Sequence, residues 1–363
     1  MSKESSNIAK GIAIILMYVH HLFYSQDLYG AYSLFYFPLS LDQTLWFSNF
    51  AKVCVSVFVF VTAYGITKQY IHKKIESRNE LITNTIKRYI NVIMAYWFVF
   101  VLSIIIFYQK SNQLLVYGES LVSKAFYIFI DFMGLANIMT TPTFNLTWWY
   151  MSLLTLLIFV MPVLLSFQRR FGSLILLTLS FLLLLNFRVD QYTAVGWYTL
   201  TVVSGIVLAS TNFYELVNNS INQSKLRKLF IFAFSLVMFI AFSLFRQSYG
   251  YLWITDAILA ILVGLICEII ISKIKVISIP LNFIGKNSMN MFLTHTFVYY
   301  YYFRDFTYSF GNSALVVLVL VLVTLLLSIL IEVTKKVIRY DKLVMLVTNK
   351  VSNFIVKIES ENI

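Results

Sequence analysis

The chain has 363 residues, of which 60% are hydrophobic and only 12% charged, and its mean hydropathy is +0.79. A chain of that composition cannot clothe itself in a polar surface, which excludes a soluble globule and predicts a polytopic, all-α membrane protein. The net charge of +12 reports membrane orientation and not a nucleic-acid partner, because the basic residues fall in segregated groups.

Apolar runs at 8–24, 47–68, 85–108, 148–167, 172–187, 194–210, 228–246, 251–271, 281–302 and 313–337 predict about ten transmembrane helices, the fifth and sixth being short. No small-residue cleavage site follows the first run, so it is read as a retained helix. With the N-terminus in the cytoplasm, six basic residues fall outside (Lys52, Lys110, Lys124, Arg188, Arg246 and Arg304) and the other 22 of 28 inside. That asymmetry places both termini in the cytoplasm. Cys54 and Cys267 then lie at opposite depths, which argues against a disulfide.

In the first helix, eleven steps from Lys10 to His21 turn the chain by about 1100°, within about 20° of three full turns, so both residues share a face about 16 Å apart along the axis. His20 points about 100° away from that face. An imidazole at membrane depth is costly to bury without a partner or a task. His21 is therefore a candidate catalytic residue with His20 beside it, the alternative being a histidine bonded to a neighbouring helix.

The outer segment 25–46 is rich in Tyr, Phe and Asp and has no Lys or Arg. Tyr29, Tyr32, Phe35, Tyr36 and Phe37 read as an interfacial belt, and such rings also stack on sugars. On the inner side Lys68, Lys73, Lys74, Arg78, Lys87 and Arg88 form a basic cluster. It marks topology and attracts anionic lipid, or it docks a polyanionic donor such as coenzyme A. The outer loop 109–147 is long for an idle linker, and its apolar stretch Leu121–Leu135 predicts a short re-entrant or interfacial helix. It leads into Trp148, Trp149 and Tyr150 at the outer start of the fourth helix. Asp256 and Glu268 are buried acids, expected in a structural ion pair or at an outward-facing helix end.

In the ninth helix Ser288 and His295 share a face, and His295 lies about 13 Å beyond the level of Lys286. His21 and His295 thus sit at similar depth on helices running in the same direction and can share one site. Beyond residue 338, Leu343, Val347, Val351, Phe354 and Ile358 recur at helical spacing beside Lys342, Lys350 and Lys357, the pattern of a basic amphipathic helix on the inner leaflet. The chain divides accordingly into a transmembrane domain, 1–338, and a cytoplasmic amphipathic tail, 339–363. No metal-ligand set, phosphate loop or nucleophile elbow is visible, so neither a metal nor a bound cofactor is expected.

A basic residue, ten residues and then histidine in the first helix; Arg88 before the aromatic pair Tyr96-Trp97; a Trp-rich opening at 148–150; and Gly285-Lys286-Asn287-Ser288 followed by His295 together resemble the membrane-bound acyltransferase 3 family over nearly the whole chain. Three positions depart from that pattern. Lys10 stands for arginine, Asn91 for a second arginine, and Ala95 for a proline. The resemblance implies a plasma-membrane O-acyltransferase, an O-acetyltransferase in particular, that uses acyl-CoA (acetyl-CoA) as co-substrate and esterifies a hydroxyl of a cell-surface or extracytoplasmic glycan. It implies His21 as general base or transient acyl carrier, His295 orienting the acceptor or polarising the thioester, and Lys10, Lys87 and Arg88 holding the donor. Trp148, Trp149, Tyr150 and Ser288 would meet the acceptor. The expected partners are acyl-CoA, the glycan and the bilayer, with no nucleic acid, and a homo-oligomer is compatible with the sequence. The competing class is an exporter or flippase of a glycan or lipid-linked sugar; against it stand the absence of a visible internal repeat and a total of four prolines. A scaffold subunit would leave the histidines unexplained.

Overall fold

Each apolar run folds as helix, because backbone groups in hydrocarbon have no water to bond and must satisfy one another. The computed structural model describes residues 1–75, 77–107, 112–186, 195–249 and 252–361. Its principal helices are α1 (Lys3–Phe23), α2 (Leu41–Ala51), α3 (Cys54–His72), α4 (Arg78–Phe107), α5 (Leu121–Phe132), α6 (Trp149–Phe171), α7 (Ser173–Asn186), α8 (Thr199–Ser210), α9 (Phe213–Gln223), α10 (Lys225–Ser248), α11 (Trp253–Ile269), α12 (Lys275–Thr296), α13 (Ser313–Val337) and α14 (Tyr340–Glu361). Among the described residues there is no strand beyond an isolated bridge between Phe35 and Asn312. The protein is an all-α polytopic membrane protein. Seven stretches are long and apolar enough to cross a bilayer: α1, Leu41–His72, Asn79–Ile106, Leu146–Phe171, α10, Trp253–Lys273 and α13. The pair Val195–Ser210 and Phe213–Gln223, bent by 56°, makes an eighth if it is one span. The remaining two of the ten apolar runs are helical as α7, which has 14 residues, and α12. Lys110 and Arg188, assigned to the outer face by charge, lie outside the described residues.

Within the segment 25–46 helix begins already at Leu41, because Ser40 and Gln43 form a capping box, Ser40 Oγ accepting from the Gln43 amide and Gln43 Oε1 from the Ser40 amide.

The chain folds as two compact units, Met1–Lys73 with Phe167–Leu326, and Lys74–Ser166 with Leu327–Ile363. In the first, α1 lies against α12, α3, α2 and α11, and α3 against α8. Glycine makes the α1–α12 crossing possible: a Cβ at Gly11 would lie 2.2 Å from the Leu281 carbonyl oxygen, and one at Gly285 1.8 Å from that of Asn7. Small residues permit close backbone approach where lipid offers no hydrophobic drive between helices. Asn7 Nδ2 donates to Asn282 Oδ1 at 3.1 Å. Asp256 is ion-paired with Arg246 at 2.5 Å in a fully enclosed setting and accepts from Trp197 Nε1. Glu268 accepts instead from the Ser2 amide and Asn218 Nδ2, each at 2.8 Å.

In the second unit α14 packs along α4, with the Tyr340 hydroxyl donating to the Met94 carbonyl at 2.9 Å. The segment before α6 is folded around buried Asp131, whose carboxylate accepts from the Tyr117 hydroxyl and the Phe144 amide at 2.6 Å, Thr143 Oγ1 at 3.1 Å and the Tyr96 hydroxyl at 3.2 Å. Burial raises the Asp131 pKa above its ordinary 3.8, and these hydrogen bonds pull it part of the way back. The predicted short helix in this loop is α5, which exposes Leu121, Val122, Phe126 and Phe129. Such a face suits an interfacial helix.

Candidate functional site

The C-terminal end of α1 and that of α12 bring three imidazoles together in the first unit. The His21 and His295 ring centroids are 5.2 Å apart, and those of His20 and His21 5.3 Å. The ascending register of contacts, Asn7 with Asn282 and Tyr18 with Met291, shows that the two helices run in the same direction. Shared depth and direction are what bring residues eleven beyond Lys10 and seven beyond Ser288 to one place.

Two of the three rings are pinned. His295 is fully buried, and its Nδ1 lies 2.5 Å from the Phe292 carbonyl. A carbonyl can only accept, so Nδ1 carries the proton and Nε2, 3.5 Å from Thr296 Oγ1, holds the lone pair. His20 Nδ1 likewise donates to the Ser48 carbonyl at 3.0 Å, while Ser48 Oγ returns a bond to the His20 carbonyl at 3.2 Å. His21 is the exception. It is half-buried, and neither of its ring nitrogens has a hydrogen bond among the described residues. Its ring is held by faces: His295 and His20, Tyr24 edge-on at 6.3 Å, and Tyr299 stacked at 6.0 Å. A positioned imidazole with an uncommitted nitrogen is what general-base or nucleophilic work requires.

Tyr18 and Tyr299 pack against the imidazoles and were not singled out from sequence. Tyr18 stacks on His295 at 5.4 Å and is anchored by its hydroxyl to Thr324 Oγ1 at 2.8 Å. Tyr299 stacks on His295 at 5.7 Å from a π-helical turn, Phe297–Tyr302, that extends α12. Such turns recur at functional sites. Their sequence signal was spacing alone, Tyr18 three residues before His21 and Tyr299 four after His295, so that each shares a helix face with its histidine.

Beyond the histidines the chain is tied down. The Tyr308 hydroxyl donates to the Leu22 carbonyl at 2.8 Å, Arg304 Nε to that of Leu28 at 3.0 Å, and the Tyr32 hydroxyl to Asp305. Phe35 bonds through its amide to the Gly311 carbonyl and through its carbonyl to the Ser313 amide.

Lys10 and Ser288 belong to this same unit; both are half-buried, and Lys10 has no hydrogen bond or ion pair among the described residues. The other named residues fall in the second unit. Lys87 and Arg88 are half-buried on α4. One turn on, Asn91 and Ala95 line a cavity of about 610 Å³ with Lys335, Lys336, Tyr340 and Thr348. The tail, expected only to anchor, thus walls a cavity. Trp148 is 2% exposed, its ring enclosed by Tyr96, Phe100 and Phe144 at 5.0 to 5.8 Å, which leaves no open face for an acceptor in this arrangement. Trp149 and Tyr150 remain half-buried. No cluster of three or more His, Cys, Asp or Glu suited to a metal ion occurs among the described residues.

A family model described as an acyltransferase domain, that of the acyltransferase 3 family, matches residues 3–333. The chain belongs to the acyltransferase 3 family. No curated protein and no solved structure gives a match. This acyltransferase is a multi-pass membrane transferase, and the matched region includes both helices of the imidazole pair as well as α4 and α6.

Proposed function

We propose that the protein is a plasma-membrane O-acetyltransferase that takes the acetyl group of cytoplasmic acetyl-CoA and esterifies a hydroxyl of an extracytoplasmic glycan. The observation that carries this reading is the uncommitted His21 imidazole held 5.2 Å from the pinned His295, inside a chain of an acyltransferase family. His21 takes the proton of the acceptor hydroxyl as its oxygen attacks the thioester carbonyl, and returns that proton to the departing CoA thiolate; the alternative is attack by His21 itself, with brief carriage of the acetyl group. His295, with Nδ1 committed, presents only Nε2 and orients the acceptor hydroxyl. His20 holds α2 through Ser48 and acts by position.

Lys10, Lys87 and Arg88 are proposed to meet the phosphates of the donor, since cations are what a polyphosphate requires. Trp149 and Tyr150 in the second unit, beside the packed Trp148 ring, and Ser288 in the first are each a proposed acceptor contact. The co-substrate is acetyl-CoA, and no resident cofactor enters the scheme. The purified full-length protein in detergent should release CoA from acetyl-CoA in the presence of a hydroxyl-bearing glycan and transfer label to it. Arg88→Ala should raise the KM for acetyl-CoA, and comparison of surface glycan from a deletion strain should reveal a missing ester. A protein that moves glycan across vesicles without any CoA release refutes the enzyme reading in favour of export.

A further inference from the structure

The tyrosines packed on the imidazoles differ in what their hydroxyls do. That of Tyr18 is committed to Thr324 Oγ1 at 2.8 Å. Those of Tyr24 and Tyr299 have no hydrogen bond among the described residues. Tyr24 is 52% exposed, whereas Tyr299 is 3% exposed. A phenol enclosed in protein with its one polar atom unpaired is costly and calls for an explanation. Its oxygen is not sealed by neighbouring atoms, and neither nitrogen of His21 is, so all three can meet a ligand. Tyr299 stands on the π-helical turn, where the Phe303 amide reaches back five residues to the Val298 carbonyl at 3.1 Å. From there its ring stacks on both His21, at 6.0 Å, and His295, at 5.7 Å.

Acyl transfer needs a proton donor that the imidazoles do not supply. When an acceptor oxygen adds to the thioester carbonyl, the π electrons of that carbonyl move onto its oxygen, and the oxyanion is stabilised by a donor placed in advance. His295 and His20 have each spent an N–H on a backbone carbonyl. A neutral His295 therefore has no proton left to offer. His21, acting as base, enters with a lone pair and gains its proton from the acceptor. Among the groups packed on the pair, the buried and uncommitted hydroxyl is that of Tyr299.

We infer that the Tyr299 hydroxyl is a further catalytic group, which donates a hydrogen bond to the thioester carbonyl oxygen as it becomes the oxyanion. The inference rests on the acetyl-transfer reading above and deepens it. The new C–O bond forms while His21 takes the acceptor's hydroxyl proton, and the Tyr299 O–H, protonated throughout, holds the oxyanion. The C=O bond then reforms, the C–S bond breaks, and the thiolate leaves with the proton from His21. A donor to the attacking oxygen would instead hold back the lone pair that makes the new bond, so the carbonyl is the productive partner. Burial strengthens the effect, because a hydrogen bond to a charge is worth more where water is excluded. The Tyr24 hydroxyl, on a residue more than half exposed, lacks that advantage.

The test is Tyr299→Phe, which keeps the ring and its stacking and removes an oxygen that has no hydrogen bond among the described residues, so the thermal midpoint should not fall. Labelled acetyl-CoA is supplied to inside-out membrane vesicles from a deletion strain complemented with each full-length variant. These vesicles carry the native acceptor, and ester-bound label is followed per amount of folded protein. We expect kcat to fall about 100-fold, the usual worth of one such donor, with the KM for acetyl-CoA unchanged. Tyr300→Phe, on the same turn and 37% exposed, should keep the wild-type kcat. A Tyr299→Phe enzyme with wild-type kcat overturns the inference and leaves the acetyl-transfer reading standing. A change confined to KM overturns it in favour of a binding contact, and a loss that vanishes on normalising to folded protein overturns it in favour of packing. A greater loss of kcat in Tyr24→Phe than in Tyr299→Phe assigns the donor to the wrong ring and also overturns it. Wild-type vesicles that transfer no acetyl overturn the acetyl-transfer reading, and the role of Tyr299 with it.

Discussion

Gly285→Ala tests how the imidazole pair is built. The added Cβ would lie 1.8 Å from the Asn7 carbonyl oxygen, whereas real Cβ atoms essentially never come closer than 3.0 Å. The difference, 1.2 Å, must be supplied by α1 and α12 moving apart, because the obstacle is backbone and no rotamer change relieves it. His21 lies fourteen residues beyond Asn7 and His295 ten beyond Gly285, so a splay at the crossing is carried along two stiff helices to the rings. Misplacement of reacting groups by about 1 Å costs about 100-fold in rate, and overpacking costs about 1–3 kcal/mol in stability. The assay is transfer from labelled acetyl-CoA at matched amounts of folded protein, with kcat separated from the donor KM. We expect kcat to fall about 100-fold and the thermal midpoint to drop. Gly65→Ala, whose Cβ would meet nothing within 4 Å, serves as the neutral control. A Gly285→Ala enzyme with kcat close to wild type would refute the view that this crossing sets the spacing of the histidines.

Among the imidazoles, His21→Gln should abolish transfer, since a positioned base is worth about 10² to 10⁴ in rate; His295→Gln should be intermediate and His20→Gln the most active, and a dead His20→Gln beside an active His21→Gln would reverse the assignment. Asp131 has a folded pKa above 3.8, so folding takes up a proton and the stability of its segment declines as pH rises from 3.8 through the raised value; proteolytic protection of residues 112–148 followed against pH should show this slope in wild type and lose it in Asp131→Asn. Asp256→Ala should cost about 3–5 kcal/mol by stranding buried Arg246, while the paired replacement Arg246→Met with Asp256→Leu should recover most of it, as measured by detergent thermal melts. A cysteine placed at Ser120 should be labelled from outside the cell and one at Ser77 should not, the outcome required by the charge asymmetry.

Helix arithmetic carried the site far. The eleven-residue step from Lys10 and the seven-residue step from Ser288 were enough to anticipate His21 and His295 at one depth, because an α-helix fixes angle and rise with no tertiary information. The close glycine crossing that turns equal depth into contact was not legible, since Gly11 and Gly285 look in sequence like ordinary intramembrane glycines. The start of α2 is written in the Ser40-x-x-Gln43 box, a signal that lies ahead of the apolar run beginning at residue 47. Trp148 and Trp149 look alike in sequence, and only the fold encloses one of them among Tyr96, Phe100 and Phe144. The Asp131 cluster gathers donors from α4, residue 117 and residues 143–144, a convergence that no local pattern announces. Division of the chain at Lys74 and Phe167 likewise follows from long-range packing alone.

The tie between the segments that follow the two histidines limits what the sequence can tolerate. Each histidine-bearing helix is fixed at both ends, by the glycine crossing within and by the Tyr308–Leu22 and Arg304–Leu28 bonds without. A rod clamped at two points has no slack, so the stretches Gly11 to His21 and Gly285 to His295 behave as gauges of set length. One residue inserted in either swings its imidazole by about 100° and shifts it about 1.5 Å along the axis, and neither clamp can slip to absorb the change. Between each glycine and its histidine the number of residues is therefore fixed, and insertion and deletion are not tolerated.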